Sequence, residues 1–142
     1  AGFRAGNLTE ATLYTLPLAD AGTSGDALTS NASGTLSWTT ISGGASWQTV
    51  ITADPANAVA GNGYFCNTNA AAFTVTLPTS ATIGDEISII DYGGDFDTNN
   101  LTVGRNSHNI QGAAADLTIA VERAAFTLVY VDATEGWLLK DK

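Results

Sequence analysis

Turn-forming residues interrupt this chain about every ten residues, and that spacing restricts it to short strands. The interrupting segments are "PANAVAGNG", "TSATIGD", "YGGD", "RNSHN" and "DATEG". Between them no stretch longer than about one turn carries helical periodicity. "AFTVTLP" alternates cleanly, which puts Phe73, Val75 and Leu77 on one face of a strand and Thr74 and Thr76 on the other. Pro78 ends that strand, because it has no N–H for the ladder. "DEISIID", "NLTVG" and "DLTIAVE" follow, the last with Leu117, Ile119 and Val121 expected to face inward. "AAFTLVYVD" is apolar on both faces, the pattern of a central strand covered on both sides. "GWLLK" closes the series. Short, evenly spaced strands predict an all-β fold, a β-sandwich or a small barrel, and the expected form over residues 47–142 is an antiparallel, jelly-roll-like β-sandwich.

Residues 1–46 are built differently. Phe3, Leu8, Leu13, Tyr14, Leu16, Leu18, Leu28, Leu36, Trp38 and Ile41 are scattered among small polar residues. Strands here would be a few residues long, and one copy could not offset the backbone entropy of ordering so many Gly and Ser residues. Three copies wound about a common axis could, each contributing Tyr14, Leu16, Leu28, Leu36 and Trp38 to a shared core, with Gly and Asn in the tight turns. The expected organisation is a short interwound trimeric β shaft over 1–46 and a β-sandwich knob over 47–142.

Charge narrows the partners. The 142 residues hold 14 acidic and 5 basic side chains, a net charge of −9. Arg4, Arg105, Arg123, Lys140 and Lys142 form no cluster along the chain, so the basic face that nucleic acid or an anionic membrane needs is not expected. Only 13% of residues are charged against 44% hydrophobic, which is not the composition of a disordered chain. Cys66 is the single cysteine, so no disulfide forms within the chain, and an inert buried thiol is its expected state. No charged segment followed by an apolar core opens the sequence, so no signal peptide is expected, and no apolar run approaches membrane-spanning length. A chain without Met that begins "AGFRAGN" is expected to be a processed form or the C-terminal part of a longer one.

Two motifs bear on kind. "LYTLPLADAGTSGDALTSNASGTLSWTT" has the form Tyr-x-Leu-Pro, Gly-Thr-x-Gly-x-x-Leu and Gly-x-Leu-x-Trp, on Tyr14, Leu16, Pro17, Gly22, Thr23, Gly25, Leu28, Gly34, Leu36 and Trp38. It resembles the shaft segments that precede terminal domains in bacteriophage tail fibres and related virion appendages, with "DAG" where a tighter "DG" turn is commoner. "GYFCNTNAAAFTVTLPTSATIGDEISIIDYGGDFDTNNLTVGRNSHNIQG", with "FTLVYVD" beyond it, resembles a β-rich domain of structural proteins in marine and cyanobacterial phages. The resemblance implies a homotrimeric shaft-plus-knob appendage that attaches to the host or caps a virion protein. It also implies a virion location, with assembly in the host cytoplasm.

Candidate chemistry is sparse. Asp95, Asp97 and Asn99 in "DYGGDFDTNN" are spaced Asp-x-Asp-x-Asn, which can place three oxygens around Ca²⁺. The loop lacks the distal bidentate Glu of an EF-hand, and Asp and Asn are ordinary turn residues, so no metal is expected. Tyr92 beside it, and Arg105 and His108 in "GRNSHN", are candidates for a receptor-contacting loop, since binding residues sit on loops of a rigid scaffold. A polar turn is the plainer reading of the latter. Asp85/Glu86 and Asp91/Asp95 are the carboxylate pairs that a polysaccharide depolymerase would require, although Asp85 and Glu86 would point to opposite faces of a strand. Trp38 is expected in the shaft axis, Trp47 at the joint and Trp137 in the sandwich core. The sequons at Asn7, Asn31 and Asn100 read as chance matches in a Thr- and Asn-rich chain. The expected function is a structural fibre protein that adheres to a host surface glycan or protein, without catalysis or cofactor. The alternatives are a decoration or assembly protein that binds other virion proteins and, behind it, a depolymerase.

Overall fold

A computed structural model of the chain describes residues 15–19, 21, 26–31, 33–40 and 44–141, with Thr40 and Asp141 described by backbone alone. The chain divides into two compact units, Ala1–Gly43 and Gly44–Lys142. Among the described residues the fold is all-β, with strands and no helix.

In the first unit β1 (Asp26–Ser30) and β2 (Leu36–Thr40) form an antiparallel hairpin with Leu28 opposite Trp38. Asn31 closes the turn, its Oδ1 accepting from the N–H of Ser33 at 2.9 Å and of Thr35 at 3.1 Å. The strand period of two sorts the side chains. Thr29, Ser37 and Thr39 share one face, where the Thr29 and Thr39 hydroxyls lie 2.8 Å apart. Leu28, Leu36 and Trp38 share the other, and Leu28 is still 44% exposed and Trp38 37%. Leu16 lies ahead of the hairpin and is exposed. Tyr14 falls outside the described residues.

The second unit holds eight strands in two sheets: β3 (Ser46–Trp47), β4 (Asn62–Cys66), β5 (Phe73–Thr76), β6 (Glu86–Asp91), β7 (Leu101–Gly104), β8 (Leu117–Ile119), β9 (Ala125–Asp132) and β10 (Gly136–Asp141). One sheet runs β10-β9-β6-β4-β3 and the other β5-β7-β8. The inward residues of both enclose one core. Tyr64, Cys66, Ile87, Ile89, Phe126, Leu128, Tyr130 and Trp137 come from the first sheet, and Val75, Leu101 and Val103 from the second. Each large side chain buried this way contributes about 1.5–3 kcal/mol. The described part of the first unit has no buried residue, so the core belongs to the second.

The pairing corrects the antiparallel jelly-roll expectation. β3 with β4, β4 with β6, and β5 with β7 are parallel, while β6–β9, β9–β10 and β7–β8 are antiparallel. The reason is the route of the chain. It leaves the larger sheet after β4, passes through the smaller as β5, returns as β6 and leaves again as β7. Each return re-enters a sheet in the direction it had before, which makes the repeated strands parallel. A second correction is local: β8 stops at Ile119, and Val121 is 65% exposed rather than inward.

The same route sorts the loops into two ends. Loops 67–72, 92–100 and 120–124 leave from one end, where Cys66 pairs with Asp91, Phe73 with Leu101 and Leu101 with Ile119. Loops 77–85, 105–116 and 133–135 leave from the other, where the chain also enters at Gly44 and Ser46 pairs with Asn62.

Candidate functional site

The end away from the chain entry is organised by one residue. The alternation that buries Ile87 and Ile89 also turns Asp91 inward, and a buried carboxylate is tolerated only when its oxygens are filled. The residues that follow supply the donors. Gly94, at φ +85, turns the backbone so that Oδ1 of Asp91 accepts from the N–H of Gly94 at 2.9 Å and of Asp95 at 3.2 Å. Oδ2 accepts from the N–H of Phe96 at 3.3 Å and, from another loop, of Arg123 at 3.0 Å. Phe96, fully buried, fixes the loop to the core. Burial pushes the Asp91 carboxyl up, but the four backbone bonds outweigh it and hold the group below its ordinary value of 3.8.

Other bonds join the neighbouring loops to this centre. The N–H of Tyr92 donates to the Cys66 carbonyl at 2.9 Å. Asn99 Nδ2 donates to the Asn69 carbonyl at 3.2 Å, and Arg123 Nη1 to the Tyr92 carbonyl at 3.2 Å. The result is a loop platform with little freedom, from which Tyr92 projects at 54% exposure, with Asp97, Val121 and Glu122 exposed around it. Beside it a groove of about 490 Å³ is lined by Ile119, Val121, Phe126 and Leu139 together with Glu122 and Arg123.

Tyr92, Asp95, Asp97 and Asn99 are therefore brought together at one end. The three residues of the Asp-x-Asp-x-Asn spacing nevertheless turn to different partners: Asp95 lies against Gly93, Asp97 accepts from the Thr98 hydroxyl at 3.3 Å, and the Asn99 amide reaches Asn69. Among the described residues, no three His, Cys, Asp or Glu side chains group as a metal site. Arg105 and His108 sit at the opposite end. Arg105 Nη1 donates to the His108 carbonyl at 3.1 Å, and His108 Nε2 lies 3.2 Å from the Thr79 carbonyl with its ring edge-on to Tyr130 at 5.3 Å. Both bind the chain's own backbone.

The carboxylate pairs resolve in the same way. Asp91 has its oxygens occupied, so it offers no acid–base function with Asp95. Asp85 accepts from the N–H and hydroxyl of Thr82, and Glu86 pairs with Lys140 at 2.8 Å. Cys66 lies under the platform, buried, and burial together with the neighbouring Asp91 charge pushes its thiol up to about 12. Trp137 is in the core, whereas Trp47 lies on the outer surface of the larger sheet, stacked on Phe65 with centroids 4.7 Å apart.

Sequence reasoning missed Asp91 as the organiser, Arg123 as its cross-loop partner, and the groove. A signal for the first was present: a carboxylate at core parity in "EISIID", followed directly by Gly-Gly, is a buried charge next to a backbone able to wrap it. No helix among the described residues is long and apolar enough to cross a membrane. Comparison with known families and with curated proteins finds no family model and no protein that matches the chain.

Proposed function

We propose that the chain is a structural component of a virion fibre or appendage, homotrimeric, which adheres to a host surface glycan or protein through the loop platform of its second unit. The observation that carries this reading is the platform itself. At the end opposite the chain entry, loops 92–100 and 120–124 are tied together by the four N–H bonds of Asp91, and loop 67–72 joins them through Asn99 and Asn69. Together they present an exposed tyrosine among acidic and amide groups. Rigid loops bearing aromatic and planar polar side chains suit recognition, because little ordering entropy remains to be lost on binding. The homotrimer is supported by the hairpin of the first unit, whose Leu28, Leu36 and Trp38, flanked on the same face by Asp26 and Ser30, are only partly covered. A two-stranded hairpin is marginally stable by itself, the described residues add to it the Thr15 bridge and the Trp38–Ala19 bond, and copies of itself are the partners its face fits. Three linked platforms would raise avidity through effective concentration.

The test is a pull-down of bacterial cells, cyanobacteria included, with the labelled full chain. Wild type is expected to bind. A Tyr92→Ala/Asp97→Ala variant should lose binding at least tenfold, while Ala133→Ser at the entry end should not. No binding to any cell, together with binding to purified virion particles, would replace host adhesion with a decoration or assembly role.

A further inference from the structure

The outer face of the five-stranded sheet has a composition that a solvent face does not need. Trp47, Phe65, Ile90, Val129, Val131 and Leu138 lie on it, all but Trp47 partly buried, and Trp47 at 46% exposure. The Trp47 ring covers Gly63, where a β carbon would run into it. Exposed apolar residues alone would mean little, since much of any protein surface is apolar. What distinguishes this face is its polar side chains. Ser88 and Thr127 share a hydrogen bond of 3.0 Å, and Glu86 and Lys140 an ion pair of 2.8 Å. Ser88, Thr127, Glu86 and Lys140 are thus each satisfied by another side chain on the same face, so water can leave without stranding them. The β3–β4–β6 part is parallel, and parallel sheets are ordinarily covered on both sides.

We infer that this face is an interface with a second copy of the chain, an inference that rests on the homotrimeric reading above and assigns it a surface. Charge selects the occupant. The chain carries −9, and a second copy approaching by most surfaces would meet like charge. On this face the Glu86 charge is cancelled by Lys140, and Asp141 follows only at the β10 edge opposite Thr127. The patch around Trp47, Phe65 and Ile90 therefore meets a second copy with little repulsion, and a strongly charged partner gains nothing there. A depression of about 230 Å³ bounded by Trp47, Ile90 and Thr127 gives an apolar side chain of the other copy a place to enter.

The experiment is hydroxyl-radical footprinting of the full chain, with light scattering at the same concentrations, on wild type and Ile90→Glu. In the assembled wild type, Trp47 and Phe65 should label several-fold more slowly than in the dilute monomer. Ile90→Glu should raise the concentration needed for assembly at least tenfold with its circular dichroism unchanged. If Ile90→Glu does not fold, the wild-type footprint decides alone. An assembled chain whose Trp47 and Phe65 label as fast as in the monomer overturns this interface and leaves the trimer reading standing. A chain that is monomeric at every concentration overturns both. Protection already present in the monomer assigns the face to the chain's own residues, and also overturns the inference.

Discussion

Replacing Asp91 by Asn is the most direct test of how the loop platform is held, because it keeps the shape and removes only the charge and one acceptor. The Asp91 oxygens divide their donors in pairs, Gly94 and Asp95 on Oδ1, Phe96 and Arg123 on Oδ2. An amide turned either way presents NH₂ to one pair, so two backbone N–H groups lose their acceptor. Leaving a buried donor unsatisfied costs about 1–3 kcal/mol, which puts the loss at about 2–6 kcal/mol. The longer bonds, 3.2 Å to Asp95 and 3.3 Å to Phe96, favour the lower half of that range, about 3 kcal/mol. For a unit of this size that lowers Tm by about 12–24 °C. Urea and thermal unfolding followed by circular dichroism measure it, and amide exchange should rise in loops 92–100 and 120–124 ahead of the rest. The pH dependence gives an independent signature. Because the folded pKa lies below 3.8, the contribution of Asp91 is present above that value and is lost as pH falls through the folded pKa. Wild type should therefore lose this part of its stability in strong acid, and Asp91→Asn should lack that loss. A variant within about 1 kcal/mol of wild type with an unchanged acid profile would refute the role assigned to the carboxylate.

Three further outcomes follow from single contacts. Cys66, with its thiol raised from 9.0 to about 12, should resist alkylation at pH 8 in the folded chain and react only on unfolding, and its raised pKa should withdraw stability as pH rises from about 9 toward 12. Gly136→Ala should cost more than about 2 kcal/mol in urea unfolding, since Gly136 has φ +71 and a β carbon there would collide with the Asn109 carbonyl that accepts from Trp137. Tyr64→Phe should cost about 1–2 kcal/mol by the same assay, because the Tyr64 hydroxyl accepts from the Val59 N–H at 2.8 Å and from Asn62 Nδ2 at 3.3 Å.

What could be read in advance was whatever a strand's period of two encodes locally. Val75 and Leu77 are buried, and Phe73 packs beside them, as the alternation of "AFTVTLP" requires. Partner choice is not local, and alternation is the same whether a strand's neighbour runs with it or against it, so the parallel pairs stayed hidden. The period also misleads where a strand ends early: Val121 continues the pattern of Leu117 and Ile119 but follows the end of β8 and faces out. At the candidate site the difficulty was reading spacing without direction. Asp95, Asp97 and Asn99 look like a chelating series on paper, yet the turn sends them to three different partners. Asp91, which holds the platform together, looks like one surface acid among many unless its parity with Ile87 and Ile89 is taken seriously.

One reading from the sequence remains in tension with a single copy of the chain. "AAFTLVYVD" is apolar on both faces, and that pattern calls for cover on both. In the structure the inward side chains of β9, Phe126, Leu128 and Tyr130, are buried, while Val129 and Val131 on the other side are only partly so. The same holds next door, where Ile89 is buried and Ile90 is not. Among the described residues, that outer side has only partial cover. The shortfall falls on the face where Ser88 pairs with Thr127 and Glu86 with Lys140, the face proposed above as an interface between copies.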